Sequence, residues 1–197
     1  MSLTAGSSLY SNLELTQNHL KFSSRSTMYL PSISICGVVD FQKIERTPFT
    51  HIISIWHPNP SLVSFQKQMH IGFPNADIHF ATFDDTEITQ TGQPPAQADV
   101  ISCLEYARDI PENAHLLIHC MAGISRSTAT AMAVISDFYG PGSERDAALS
   151  VQELRPIANP NRLILQLADE ILKRGGALTK AADHVFGQSL GQMNKGW

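Results

Sequence analysis

The stretch AHLLIHCMAGISRSTA, residues Ala114 to Ala129, decides the fold that this sequence predicts. It contains a short apolar run, Leu116 to Ile118, that is typical of a strand buried on both faces. From Ser125 onward, apolar residues recur at helical spacing until Gly140 and Pro141, which are residues that end helices. The pattern therefore predicts a strand, a tight loop and the start of a helix.

The loop between this strand and this helix has the composition of an anion-binding site. Gly123 allows the backbone to curl, so that several N–H groups point into one concavity at a helix N-terminus. We expect a phosphate group there, with two of its oxygens bound by the planar guanidinium of Arg126. Cys120 faces the same positive field, which favours the nucleophilic thiolate. The residues expected to bind the phosphate are Met121, Ala122, Gly123, Ile124, Ser125 and Arg126.

Two neighbours of Cys120 are predicted to support its chemistry. Ser127 can donate its hydroxyl to the sulfur and help the sulfur to leave in a second step. His119 is expected to brace the loop through ring N–H bonds, because a thiolate needs no base. The alternative interpretation is a buried, inert cysteine in a tight turn.

Two segments resemble a known family. His119 to Ser127, HCMAGISRS, resembles the HCxxGxxRS signature of the cysteine-dependent protein tyrosine phosphatases, and most closely the HCxAGxSRS form of their dual-specificity branch. Arg155 to Asn161, RPIANPN, is similar to the RPxxxPN segment of that branch, and Asn161 is placed to cap the next helix. The resemblance implies a metal-independent phosphatase without a cofactor, in which a cysteinyl phosphate forms and water releases it. It also implies that the second segment supports the phosphate loop.

An acidic turn, Asp84 and Asp85, follows a predicted strand over residues 77–83. Cleaving a phosphate ester needs an acid to protonate the departing oxygen, and the same carboxylate can then activate water. The resembled family places an aspartate at about this distance ahead of its cysteine. We therefore predict Asp85 as the acid and Asp84 as a loop-capping carboxylate, with the reverse assignment and a merely solvated turn as alternatives.

Length and composition are typical of one globular catalytic domain. The chain has 197 residues, of which 43% are hydrophobic, enough to bury a core. A formal net charge of -4 with 14 Lys and Arg gives no sign of a basic surface that would bind nucleic acid or membranes. Three cysteines without metal-ligand spacing argue against a zinc site or a disulfide framework. With no signal peptide or long apolar run, we predict a cytoplasmic protein that binds no nucleic acid and no membrane.

Strands alternate with helices along the chain, which predicts a single α/β domain with a mostly parallel central sheet and helices on both faces. We expect a flexible extension over 1–27, a catalytic domain over 28–176 and a small-residue tail over 177–197. Ser143 with Asp146 resembles a capping box, and Cys103 is expected to be a small buried residue. Trp56 and His57 are candidate substrate contacts, although a core aromatic and a solvated loop histidine are the preferred interpretations.

The signature predicts hydrolysis of phosphotyrosine, with phosphoserine and phosphothreonine as further substrates. The loop interior lacks the lysines that phosphoinositide phosphatases of the superfamily often carry, which disfavours a lipid substrate. The alternatives are a phosphoprotein-binding module that barely turns over, a phosphoinositide phosphatase and a sulfur-transfer enzyme. The expected partner is a phosphorylated protein, the expected ligand of the loop is a phosphate or sulfate anion, and the oligomeric state is left open.

Overall fold

The structure is a computed structural model that describes residues 30–46, 48–88, 90 and 92–193, so the predicted flexible extension over 1–27 lies outside it. A short 3-10 helix, Val38–Gln42, follows the first strand. The strands are β1 (Ser32–Gly37), β2 (His51–Trp56), β3 (Asp77–Thr82) and β4 (His115–Cys120). The α-helices are α1 (Leu62–Gly72), α2 (Gln97–Arg108), α3 (Arg126–Tyr139), α4 (Glu144–Leu154), α5 (Arg162–Ile171) and α6 (Ala177–Met193).

The four strands form one sheet in the order β1-β4-β2-β3, and every neighbouring pair is parallel. Gly37 of β1 lies opposite Cys120, and Ser54 of β2 lies opposite His119. Because all strands run in the same direction, their carboxyl ends share one edge of the sheet. The predicted α/β class with a parallel central sheet is confirmed.

Helices cover both faces of the sheet. The larger core includes buried residues of α2 to α6, together with Leu116 and Ile118 of β4. The smaller core lies on the other face, where Leu117 packs with residues of α1, β1 and β2. The alternation explains why residues 116–118 of β4 are all apolar, since successive side chains enter different cores. Among the described helices, none has both the length and the apolar character needed to cross a membrane.

The residues after 176 contribute a helix to the core, so the predicted tail is wrong over 177–193. Leu178 is fully buried, and Val185 and Phe186 belong to the same core as α3 and α4. The carboxylate of Asp169 on α5 accepts hydrogen bonds from the backbone N–H groups of Leu178 and Thr179, at 2.9 and 3.0 Å. These bonds satisfy amides that the start of α6 would otherwise leave unpaired.

One of the two predicted helix caps is present. Asn161 caps α5, because its side-chain oxygen accepts a hydrogen bond from the N–H of Ile164 at 3.1 Å. The predicted capping box at Ser143 is wrong, since this hydroxyl donates instead to the carbonyl of Gly140 at 2.6 Å. Its oxygen accepts no hydrogen bond from the first turn of α4, so the side chain ties Ser143 to the preceding turn instead of capping the helix.

Candidate active site

Residues 121–125 join β4 to α3 and curl around the sulfur of Cys120. Gly123 has a φ of 69°, in the left-handed region, and its N–H donates to the Cys120 sulfur at 3.3 Å. The Ser127 hydroxyl, in the first turn of α3, lies 3.3 Å from the same sulfur. Cys120 is buried. The sulfur therefore lies at the floor of a loop that ends at a helix N-terminus, the arrangement that favours a bound anion.

The loop packs directly against the end of β1. A Cβ atom on Gly123 would lie 2.4 Å from the backbone of β1, and a Cβ atom on Gly37 would lie 2.6 Å from the carbonyl carbon of Ala122. The N–H of Val38 also donates to the carbonyl of Met121 at 3.0 Å. Both positions require glycine because two backbones touch there. The end of β1 thus fixes the shape of the loop.

Arg126 has the features of an anion ligand. Its side chain is buried, and its Nη1 donates to the carbonyl of Phe83 at 3.0 Å. Its Nε has no hydrogen-bond partner among the described residues and lies 3.8 Å from a carboxylate oxygen of Asp85. A buried donor without a partner costs free energy, which an oxyanion in the loop would recover.

His119 lies behind the nucleophile, on the opposite face of β4. Its Nε2 is 2.8 Å from the hydroxyl oxygen of Ser54, which also accepts the indole N–H of Trp56 at 2.7 Å. Burial lowers the pKa of His119 to about 4, opposed by a hydrogen bond with the backbone of Cys120 and assisted by the charge of Arg126. The imidazole is therefore neutral at neutral pH and acts in positioning. Trp56 is buried beside it, as a core aromatic that a substrate does not reach.

Asp85, rather than Asp84, faces the loop. One carboxylate oxygen of Asp85 accepts hydrogen bonds from the Ser125 hydroxyl at 2.6 Å and from the Asn161 amide nitrogen at 3.1 Å. Asp84 closes its own loop instead, because its carboxylate accepts the N–H of Gln93 and its own N–H donates to the Gln93 carbonyl, both at 2.8 Å. Asn161, which also caps α5, thus links the acidic turn to the helix that follows the second motif.

Arg155 holds the loop from outside, in agreement with the supporting role that the resemblance implies for its segment. Its guanidinium donates to the carbonyls of Gly123 at 3.0 Å and Ala122 at 3.2 Å, and it pairs with Asp40 at 3.0 Å. The same Asp40 oxygen accepts the N–H of Gly37 at 2.9 Å. With those two carbonyls held outside, the N–H groups of the loop are left to face inward. The only sequence signal for Asp40 is a carboxylate three residues after a glycine that ends a strand.

Comparison with known proteins identifies the fold, although no family model matches the chain. Over 145 residues it is 32% identical to dual specificity protein phosphatase 15 of Homo sapiens, covering 72% of the chain and 44% of that protein. A crystal structure of DUSP15 matches with a TM-score of 0.52 at 24% identity, over 83% of this chain and 94% of that one. The chain has the fold of the cysteine-based protein tyrosine and dual-specificity phosphatases. Over 84 residues it is also 40% identical to protein phosphatase Slingshot homolog 3 of Rattus norvegicus, covering 42% of the chain and 12% of that protein.

The chain spans about half the length or less of the curated relatives that it matches. Within this phosphatase fold, the structure brings Cys120, Ser127, Arg126, Asp85 and Asn161 to one edge of the sheet. The other predicted residues of the loop, 121–125, lie between the sulfur and α3.

Three predicted residues do not join this cluster. Asp84 contacts Gln93, as described above. His57 is half-buried and lies 3.3 Å from the amide nitrogen of Asn59 in its own loop. Cys103 is buried in α2, and desolvation raises the pKa of its thiol to about 12, so that it stays protonated and inert. The prediction that Cys103 is a small buried residue is confirmed.

Proposed function

We propose that the chain is a cysteine-type phosphatase that acts on phosphorylated proteins, with phosphotyrosine as substrate and phosphoserine and phosphothreonine as further substrates. The observation that carries the proposal is the placement of the Cys120 sulfur on the floor of a loop that Arg126 closes, with the Asp85 carboxylate at its side. The names of the similar proteins, dual specificity and Slingshot phosphatases, support the same reaction class.

In the first step, the Cys120 thiolate attacks phosphorus in line with the leaving oxygen, and a sulfur–phosphorus bond replaces the bond to that oxygen. Backbone N–H groups of the loop and the guanidinium of Arg126 bind the three other oxygens, where negative charge accumulates. Asp85 gives its proton to the leaving oxygen, which departs as a neutral alcohol or phenol.

In the second step, water attacks the phosphorus of the cysteinyl phosphate. Asp85, now a carboxylate, accepts a proton from this water, and the sulfur–phosphorus bond breaks to release inorganic phosphate. The departing sulfur regains its negative charge, which the Ser127 hydroxyl and the Gly123 N–H stabilise from 3.3 Å each. No residue of this scheme requires a metal ion.

Two observations support a protein substrate in the cytoplasm. The loop interior has no lysine to bind a second phosphate of a phosphoinositide headgroup. The three cysteines are free thiols in the structure, as in a reducing compartment.

The test is hydrolysis of para-nitrophenyl phosphate in the presence of a metal chelator, by the wild type, Cys120→Ser and Cys103→Ser. We expect turnover by the wild type and Cys103→Ser, and a loss of at least about a thousandfold in Cys120→Ser, which lacks the nucleophile. A requirement for a divalent metal would contradict the mechanism. A silent wild type that still binds vanadate would indicate a binding module, and cleavage of thiosulfate would indicate sulfur transfer.

A further inference from the structure

Four exposed apolar side chains lie around the phosphate loop. Their exposed fractions are 72% for Val39, 59% for Ile88, 58% for Ile157 and 39% for Met121. Five other large apolar side chains are exposed in the described part of the chain, but they are distributed over four helices: Val63, Ile71, Ile101, Tyr139 and Leu149. Single exposed apolar residues are ordinary on a protein surface, whereas a group of them at one site marks a binding surface. We call the first four the apolar rim.

The sheet topology explains why three members of the rim share one edge. Val39 follows β1, Ile88 follows β3 and Met121 follows β4, and all three strands end at the same edge. The N–H of Val38 donates to the carbonyl of Met121 at 3.0 Å, so Val39 lies next to the first residue of the loop. This places one side of the rim at the contact between β1 and the loop.

The other two members lie on the α5 side of the loop. Ile157 lies in the turn before Asn159, whose N–H donates to the carbonyl of Ile124 in the loop at 2.9 Å. Ile88 follows Thr86, whose carbonyl accepts a hydrogen bond from the Asn161 side chain at 3.4 Å. The phosphate site therefore has exposed apolar side chains on two sides.

The charges of the same loops do not favour an acidic ligand. Arg155 is engaged by Asp40 and by loop carbonyls, and Arg162 pairs with Asp183. The acidic turn adds the carboxylates of Asp84 and Glu87, which repel a negatively charged neighbour of the phosphate. Arg155 and Arg162 are therefore both paired with carboxylates. Neither offers an unpaired charge to a second anionic group beside the phosphate at Arg126.

Resting on the proposed phosphatase function, we propose that the apolar rim selects phosphorylated protein segments that carry aliphatic or aromatic side chains next to the phosphorylated residue. Burial of such side chains against Val39 and Ile157 lowers the free energy of binding, while the phosphate loop holds the phosphate. Segments with acidic neighbours lack this stabilisation and are repelled by the carboxylates of the acidic turn. The rim thus contributes specificity that the phosphate loop alone cannot supply.

The experiment compares three phosphotyrosine peptides that differ only in the residues flanking the phosphotyrosine, which are leucine, serine or glutamate. We expect kcat/KM to be about tenfold higher for the leucine peptide than for the serine peptide, since roughly one side chain is buried, and lowest for the glutamate peptide. In Val39→Ser/Ile157→Ser, the preference for leucine over serine should fall to about twofold, while hydrolysis of para-nitrophenyl phosphate stays unchanged. The matched control is Ile71→Ser on α1, which removes an 80% exposed isoleucine elsewhere and should keep the preference.

Equal rates for all three peptides, or a loss of preference in Ile71→Ser as well, would overturn the proposal. Sedimentation with neutral phosphatidylcholine vesicles that depends on Val39 and Ile157 would overturn it in favour of a membrane surface. If the wild type hydrolyses no para-nitrophenyl phosphate, the proposed function fails separately, and the rim is then tested by calorimetric binding of the same peptides to Cys120→Ser. In that case the same order of affinities supports the rim, and equal affinities refute it.

Discussion

Asp84 and Asp85 are adjacent in the sequence, yet their carboxylates have unrelated partners. Asp85 contacts Ser125, Asn161 and Arg126, all of which belong to the phosphate site. The carboxylate of Asp84 accepts a hydrogen bond from the backbone N–H of Gln93 in its own loop. Both residues follow the end of β3 and Asp85 lies in a bend, so the two neighbouring side chains meet different parts of the molecule.

Replacing each aspartate separately tests this division of roles. Asp85→Asn should lower kcat for a phosphotyrosine peptide by about a hundredfold or more, because the departing phenol oxygen loses its proton donor. Asp84→Asn should retain the wild-type kcat, because its carboxylate bonds to Gln93 and not to the phosphate site. Steady-state kcat on the same peptide provides the measurement, and equal losses in the two variants would reject the assignment.

Asn161 combines two roles that one substitution can separate. In Asn161→Ser the hydroxyl still accepts the N–H of Ile164 as a helix cap, but its shorter side chain does not reach Asp85. We expect stability within about 0.5 kcal/mol of the wild type. The rate for a phosphoserine peptide should fall about tenfold, while para-nitrophenyl phosphate, whose leaving group needs less protonation, should be affected little. Equal losses on both substrates would show that Asn161 does not position the acid.

Among the elements, the junction between β1 and the phosphate loop constrains the backbone most. Gly123→Ala should abolish vanadate binding and destabilise the fold by about 3 kcal/mol or more, because its Cβ would overlap the β1 backbone at a positive φ. Gly175→Ala is the matched control, since it has a φ of 60° but no atom within 4 Å of its Cβ. It should cost only about 1 kcal/mol of backbone strain. Urea unfolding measures both, and equal costs would contradict the contact.

The neutral His119 in β4 predicts how stability depends on pH. Its pKa is lowered from 6.5 to about 4, so below pH 6.5 the unfolded chain takes up a proton that the folded chain does not. The free energy of unfolding should therefore fall as the pH falls from 6.5 towards 4, by about 2 kcal/mol at pH 5. His119→Asn removes this titration, so its unfolding free energy should change about 2 kcal/mol less between pH 7.5 and 5. An identical pH dependence would show that His119 is not buried as a neutral ring.

At the scale of the whole molecule, α6 completes the larger core. Leu178→Ala should lower the free energy of unfolding by about 3 kcal/mol, since it leaves a cavity at a fully buried position. Lys180→Ala, at an exposed position of the same helix, should change it by less than about 0.5 kcal/mol. Urea unfolding of both variants provides the measurement. If Leu178→Ala is as stable as Lys180→Ala, α6 does not belong to the cooperative unit.

Local patterns in the sequence were enough to predict β4, the loop and α3. An apolar run predicts a strand, a glycine predicts a tight loop, and apolar residues at helical spacing predict a helix. They did not predict α6, since ALTKAADHVFGQSLGQM is rich in small residues and its buried positions appear only when α3, α4 and α5 are assembled. Support of the loop by the segment of Arg155 was implied by the family resemblance, but the individual contacts of Arg155 and Asp40 were not predicted from local patterns. Their partners are backbone carbonyls and an N–H group, which leave no trace in side-chain patterns.

The sheet order places the strand that carries the nucleophile between two others. The backbone of β4 is bonded to β1 along its whole length and to β2 from Leu116 to His119, whereas the loops that carry Asp85 and Ile157 lie outside the sheet. Amide hydrogens of β4 should therefore exchange with solvent only when the whole domain unfolds, while those of the surrounding loops exchange through small local openings. The reacting sulfur would then keep one position while its surroundings adapt to substrates of different shape.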